Sequence, residues 1–526
     1  MGLMVSTLIL LLTAVISIFI SQVFPKISGN YISMISGAVI FFFPIIRNNI
    51  EHFNSDIFLG LIIAPLLFFE GQSMHLNFVG QELKHIFQMT VSLVLLCLVV
   101  SGFSVWWLAG ISMPLAFILA AVSTPTDATA MESVTNELKM PATDQSMLKM
   151  ESLFNDASGI ILLNMAALWY VNGYINYSET IENFLISAVG GALFGFVGAW
   201  VVVLARQQLL RTAYTSLNAQ ILIYIVTPFI LYYLAEMIHV SGIITVVCAG
   251  MVHNAEAQRS RLLNSRQIHF SFDLVAMITE IFNSMVFVIL GFMFVSIVVE
   301  EKSMVHSLNW LLIGTVLYVV NTLIRYGYSR VRLQMTNKDA WIFSLGGVHG
   351  AVTLALAYTV AEMHVKSGAF NLVLLSASFL IILSMVVPTI AFRFLLNADV
   401  PDKEILKEVD QIRVKMVHQA VAAVNRMYLP ANVKKSVIFD LMTQKQMTRT
   451  RDFVKAWYEV VRHPEFTGAE KELEMRAFMN AFLQERQYLD MISQSEVRYQ
   501  KCVYQLYNEV LLAESLVVGP NVFEEN

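Results

Sequence analysis

The run Glu151-Ser152-Leu153-Phe154-Asn155-Asp156 sets two carboxylates, a hydroxyl and an amide inside one of the most apolar stretches of the chain. A carboxylate at bilayer depth is costly unless it faces a cavity, a partner or an ion, so these residues read as functional. At about 100° per residue, Ser152 and Asp156 share one helical face at i, i+4, and Glu151 and Asn155 share the neighbouring face. Asp156 therefore presents a carboxylate with a hydroxyl one turn away. Oxygen donors suit a hard cation, and a carboxylate can hold either that cation or a proton. A second polar cluster, Ser123-Thr124-Pro125-Thr126-Asp127-Ala128, interrupts another apolar segment. Pro125 removes a backbone donor and pushes Thr124 out of helical geometry, so carbonyls are left free there. Thr126, Asp127 and those carbonyls are natural further ligands beside Asp156, Ser152 and Asn155. Asp156, Ser152 and Thr126 form the expected cation-coordinating set.

Other polar residues at membrane depth divide by role. Arg325 follows the apolar run Leu311 to Ile324 and needs a partner, which Glu151 can supply in bidentate geometry; the competing reading has Arg325 snorkelling to the cytoplasmic surface. Glu280 precedes Asn283 by three residues, so both can line one cavity. His349 sits among glycines in Gly346-Gly347-Val348-His349-Gly350, either bonded to a backbone carbonyl or titrating near neutral pH. Glu280, Asn283 and His349 are thus candidate modulators. Glu70 and Glu236 lie near span ends, where solvated or interfacial roles are expected.

These residues need a scaffold, and the composition says which. Of 526 residues, 56% are apolar and only 14% charged, with mean hydropathy +0.63, whereas soluble domains carry roughly 25% charged residues. The chain reads as a polytopic, all-α membrane protein. Segments of about 20 apolar residues begin near Leu3, Tyr31, Asp56, His85, Met113, Lys149, Ile181, Leu217, Ser241, Asp273, Leu308, Trp341 and Ala369, which predicts thirteen transmembrane helices. With the N-terminus outside, loops assigned inside hold twelve Lys and Arg residues against three outside, in accord with the positive-inside rule. An odd number of spans then puts the C-terminus in the cytoplasm. Leu3 to Phe24 reads as a first span, having no basic region before it and no cleavage site after it.

The fifth and twelfth spans carry the Pro125 and Gly346–Gly350 interruptions. Broken helices at membrane depth survive where they are buried or line a cavity, and a matched pair in two halves points to a transporter with inverted repeats. Half of the Lys and Arg residues, 17 of 34, follow residue 397. This divides the chain into a transmembrane exchanger domain, 1–397, and a cytoplasmic helical domain, 398–526. In the latter, Ile405, Leu406, Val409, Ile412 and Met416 have amphipathic helical spacing, with breaks expected at Pro430, Pro464 and Gly468.

A net charge of -5 argues against nucleic acid as a partner. Cys97, Cys248 and Cys502 are too dispersed for a disulfide framework or a metal site. No GxxxxGK[ST], HExxH, GxSxG or GxGD pattern is present, and the tail has no GxGxxG in a βαβ setting. Neither an enzyme nor a cofactor other than transported ions is expected.

Four motifs in order then support a resemblance. Glu151 to Asp156 resembles the ESLFND signature of the sodium/proton exchanger family, specifically the bacterial NhaP-type antiporters. Thr126-Asp127 resembles its TDP motif, Ala235-Glu236 through His239, Ser241-Gly242 and Ala249-Gly250 its AExxHxSG…AG run, and Gly346 to Ala351 its GGLRGA motif. The resemblance covers residues 1 to 397. It implies that Asp156 binds the ion and the proton, that Ser152, Thr126 and Asp127 contribute, that Glu151 and Arg325 are a stabilising pair, and that a core domain moves against a dimerisation domain in a homodimer of the cell membrane. Two residues depart from the family pattern: Ala128 stands where it has proline, and His349 where it has arginine. The function expected is exchange of a monovalent cation, Na+ first, with K+ or Li+ as alternatives, for H+. The neutral Asn155 before Asp156 leaves one evident titrating acid, so exchange is expected to be electroneutral. A cation channel or ion sensor on the same scaffold, and an intramembrane enzyme using Asp127 and Asp156, are the alternatives.

Overall fold

Within a bilayer the backbone has no water to bond, so each span must satisfy its own N–H and C=O groups, and helices do so. A computed structural model of the chain describes residues 2–24, 27–47, 58–72, 88–135, 138–173, 177–210, 217–259, 265–300, 308–361, 363, 365–398, 403–444, 466–495 and 500–517. They fall into two units, Met1–Asp399 and Val400–Asn526. The first contains α1 (Gly2–Val23), α2 (Gly29–Phe41), α3 (Leu59–Gln72), α4 (Gln88–Leu93 running into Val94–Ala109), α5 (Met113–Val122), α6 (Ala128–Val134), α7 (Ala142–Asn172), α8 (Tyr177–Leu210), α9 (Leu217–Met237), α10 (Gly242–Arg259), α11 (Ser265–Glu300), α12 (Asn309–Val331), α13 (Asn337–Leu345), α14 (Ala351–Thr359) and α15 (Ser367–Leu395).

The helices follow the expected spans in order. The fifth span arrives as two halves, α5 and α6, and the twelfth as α13 and α14. The expected starts of the third and fourth spans, near Asp56 and His85, lie outside the described residues. Among the described residues, six helices, α1, α4, α8, α11, α12 and α15, are each long and apolar enough to cross a membrane alone. The protein is a multi-pass, all-α membrane protein. Leu138–Lys139 and Asn397–Ala398 form a small antiparallel pairing, Leu138 opposite Ala398, which ties the loop after α6 to the end of α15.

Glycine sets the closest crossings, where an added Cβ would strike a partner's backbone. Gly37 of α2 faces the Val288 carbonyl of α11, and Gly291 of α11 faces that of Met34. Gly195 of α8 lies against the Thr245 carbonyl, and the Thr245 hydroxyl donates to the Gly191 carbonyl at 3.0 Å. The motif run from Ala235 forms the α9–α10 turn. His239 has a positive φ there, and the Glu236 carboxylate accepts from the Gly242 amide at 2.9 Å.

The second unit contains α16 (Lys403–Arg426), α17 (Ala431–Thr443), α18 (Gly468–Ser495) and α19 (Gln500–Val517). Its core is built from Met416, Val417, Val437, Phe482, Leu489 and Val510, among others. Pro430 precedes α17, while Thr467 and Glu470 form a reciprocal capping box at the start of α18 (3.4 and 3.0 Å). The expected break at Pro464 lies outside the described residues.

Candidate ion-binding site

The two broken helices meet at their interruptions and exchange hydrogen bonds that neither can make alone. With α5 ended at Val122, the Asp127 amide leaves its own helix and donates to the Val348 carbonyl of the second break at 2.7 Å. In return, the Ala351 amide at the start of α14 donates to Asp127 Oδ2 at 2.9 Å. Asp127 Oδ1 accepts from the Ala130 amide at 2.9 Å and the Thr129 hydroxyl at 2.7 Å. One carboxylate thus caps the N-termini of both α6 and α14, where helix dipoles favour negative charge. Gly350 is required by this contact, because a Cβ there would land on the Asp127 carboxylate.

The carbonyl freed by Pro125 is also satisfied across the crossing. His349 Nδ1 lies 2.6 Å from the Pro125 oxygen, and since a carbonyl only accepts, the ring nitrogen is the donor. The Thr353 hydroxyl donates to the same oxygen at 3.2 Å. Of the two readings of His349, the structure has the carbonyl-bonded one.

Against this crossing lies one stripe of α7. Ser152 Oγ donates to the Thr126 carbonyl at 2.8 Å and accepts from the Ala128 amide at 3.1 Å. Asn155 Nδ2 donates to Thr126 Oγ1 at 2.8 Å, and its Oδ1 accepts from the Thr126 amide at 3.3 Å. One turn further on, Gly159 leaves room for Pro125, whose Cγ would be 2.6 Å from an added Cβ. Asp156, on the same stripe, is 2% exposed, and its Oδ1 is buried without a hydrogen-bond partner.

The sequence-derived residues therefore divide. Thr126, Asp127, Ser152 and Asn155 come together with Asp156, as their spacing implies. Ser152, Asn155 and Asp127, however, spend hydrogen-bonding capacity on bracing the break, and Asp156 alone among them keeps a buried oxygen free. Glu151 turns away to Arg325: Nη1 pairs with Oε1, and Nη2 donates to Oε2 at 2.8 Å. Arg325 Nη2 also donates to the Phe343 carbonyl at 3.1 Å, and the guanidinium lies over the Phe343 ring. The pair is buried; Arg325 does not snorkel.

A cavity of about 450 Å³ reaches this region, lined among others by Ser152, Thr129, Glu280 and Asn283. Glu280 and Asn283 share one cavity, as their spacing implies, whereas the position of Glu70 near a span end implies an interfacial role. Glu70 lines the same cavity instead, with Glu132 and Lys149, which form an ion pair. The missed signal was the apolar run of α3, which buries the helix against its neighbours and turns its one acid inward. Asn283 Nδ2 donates to Asn30 Oδ1, and Asn30 Nδ2 to Ser133 Oγ, both at 3.0 Å, linking α2 and α11 to α6.

Two discontinuous helices crossing beside a buried acid with one unpartnered oxygen, within a multi-pass helical protein, define a secondary-transporter scaffold. The chain belongs to the sodium/hydrogen exchanger family: the model of its transmembrane region matches residues 7–398. That family is one of secondary transporters and not of enzymes. The chain is 29% identical over 414 residues to a sodium, potassium, lithium and rubidium/H(+) antiporter of Bacillus subtilis, covering 75% of this chain and 62% of the relative. It is 28% identical over 548 residues to an uncharacterized Na(+)/H(+) exchanger of Escherichia coli, YjcE, covering 98% of this chain and 99% of that one. The sodium proton antiporter MjNhaP1 from Methanocaldococcus jannaschii has the same fold, with TM-score 0.59 at 17% identity over 75% of this chain and 98% of that one.

Proposed function

We propose that the protein exchanges a monovalent cation for H+ across the cell membrane, with Asp156 holding the two ions in alternation. The observation that carries this reading is the buried, unpartnered Oδ1 of Asp156 beside a crossing whose other polar groups already have partners. A carboxylate so placed needs a proton or a cation. The ligands proposed for the cation are Asp156, with Ser152 and Thr126 at the break; Asp127 and Asn155 hold the frame, and Glu151 with Arg325 stabilises it. The cavity bearing Glu70, Glu280 and Asn283 is proposed as the approach, and alternating access as the way the site reaches the other side. The Bacillus subtilis relative is an antiporter of sodium, potassium, lithium and rubidium, which favours a broad monovalent substrate set with Na+ included.

The same reading gives an electroneutral cycle, because Asp127 is held by three donors in a fixed role and leaves Asp156 as the one exchanging acid. An N-terminus outside, a cytoplasmic tail and a homodimeric assembly complete it. The test is proton flux in proteoliposomes under Na+, K+ or Li+ gradients, comparing the native protein with Asp156→Asn. Cation-driven proton movement in the native protein and its loss in the folded variant are expected. Cation flux without proton movement would make the protein a channel, and retained exchange in Asp156→Asn would remove that residue from the site.

A further inference from the structure

We infer that Asn321 is a positioning residue for ion binding, acting through the Ser123 carbonyl at the end of the first broken helix; this rests on the antiport reading above. In an unbroken helix the Ser123 carbonyl would accept from the amide four residues on, that of Asp127. That amide is engaged by Val348, so the break orphans the Ser123 oxygen. Asn321 of α12 supplies the missing donor: its Nδ2 lies 3.2 Å from the Ser123 carbonyl and 3.1 Å from the Ser123 hydroxyl oxygen. Because a carbonyl can only accept, the amide orientation is fixed, which turns Oδ1 toward α4, where Ser101 Oγ donates to it at 2.7 Å. All three residues are buried, Ser101 completely.

One turn along the same face of α12, Arg325 donates to the Phe343 carbonyl near the end of α13. A single helix therefore caps the carbonyl ends of both first halves, one with an amide and the other with a guanidinium. This complements Asp127, which caps the N-termini of both second halves. The hydrogen bonds of Asn321 go to Ser101 and Ser123 and not to Asp156 or a proposed ligand. It fixes where the irregular segment from Ser123 to Asp127 leaves α5, and that segment carries Thr126 and Asp127 to the α7 stripe beside Asp156. An orphaned carbonyl at this depth would be driven to find another donor, and the ligand geometry would shift with it.

The experiment uses full-length protein in two formats: exchange in proteoliposomes as a function of Na+, and melting in detergent as a function of Na+, which needs no transport. Asn321→Asp keeps the acceptor for Ser101 but removes both donors, Asn321→Leu removes the amide at similar volume, and Ser101→Ala removes only the orienting hydroxyl. The loss of a buried hydrogen bond predicts a rise of about tenfold in half-saturating Na+ for both Asn321 variants, and about threefold for Ser101→Ala, with maximal rate per folded protein within about twofold. The Na+-dependent rise in melting temperature should move to higher concentration in parallel. A lowered melting temperature with unchanged Na+ dependence in both formats would reduce Asn321 to packing and overturn the inference. If the Asn321 variants do not fold, Ser101→Ala decides by the same criterion. Absence of exchange in the native protein would count against the antiport reading alone, because the Na+-dependent melting still reports on Asn321.

Discussion

At the scale of single residues, the Glu151–Arg325 pair carries the clearest energetic consequence. Both side chains are buried in bidentate contact, so removing one leaves the other's charge uncompensated, a loss of about 3 to 5 kcal/mol. Glu151→Gln and Arg325→Met should each lower the melting temperature in detergent, and the double variant should recover part of the loss. Additive losses in the double variant would show that the pair does not interact energetically. Gly347 belongs to the same unit, since a Cβ there would sit 2.5 Å from Arg325 Nε. Gly347→Ala should therefore reproduce much of the Arg325→Met phenotype, whereas Gly327→Ala, on the same helix as Arg325 and open to an added Cβ, should not; differential scanning fluorimetry of the two separates them.

At the scale of elements, α2 and α11 cross with backbone against backbone. Gly37 meets the Val288 carbonyl and Gly291 the Met34 carbonyl, so no side chain can be inserted without moving the helices apart. Overpacking of this kind costs about 1 to 3 kcal/mol, and Gly291→Ala should destabilise by that order, measured by thermal unfolding in detergent. In the second unit, α18 carries Glu485 into the core at 0% exposure. Burial raises its affinity for a proton from the ordinary 4.5 to about 7, with the Gln444 side chain opposing weakly. The folded unit then binds this proton more tightly than the unfolded chain. The contribution of this group to stability is fullest below about pH 4.5, falls as pH rises through the interval to about 7, and is flat above it, a loss on the order of 3 kcal/mol. Glu485→Gln should remove that fall, so hydrogen exchange in α18, corrected for intrinsic rates, should slow at pH 8 and change little at pH 4.5. Equal protection in native and variant protein at pH 8 would show that the carboxylate is solvated.

At the scale of the whole molecule, the question is how many charges cross in one cycle. If Asp156 is the single exchanging acid, one proton leaves for each monovalent cation and no net charge moves. Exchange in proteoliposomes should then be indifferent to an imposed membrane potential. A rate or end point that shifts systematically with voltage would mean that a second group, Asp127 or Glu70, changes its proton during the cycle. The three donors to Asp127 argue for constancy there. Glu70, lining the cavity, is the residue such a result would indict.

Much of this was written in short windows of sequence. The order of the spans followed from runs of apolar residues, and the two interruptions from Pro125 and from the glycines around His349, because helix length and backbone permissiveness are properties of neighbouring residues. The i, i+4 spacing of Ser152 and Asp156 likewise placed a hydroxyl beside an acid. Partners were another matter. Asp127 read as an ion ligand, but the fold brings the amide of Ala351 to it from 224 residues away, and its carboxylate becomes a cap for two helices. His349 was left between two roles until the Pro125 carbonyl, also 224 residues distant, supplied an acceptor. Glu70 looked interfacial because a span end is interfacial in an isolated helix, and only packing showed that it lines the cavity. Which elements form and where they break is local in the chain, set by residues within a few positions of one another. Which buried polar groups satisfy one another depends on packing between distant helices, and that packing leaves Asp156 Oδ1 as the one oxygen of the cluster buried without a hydrogen-bond partner.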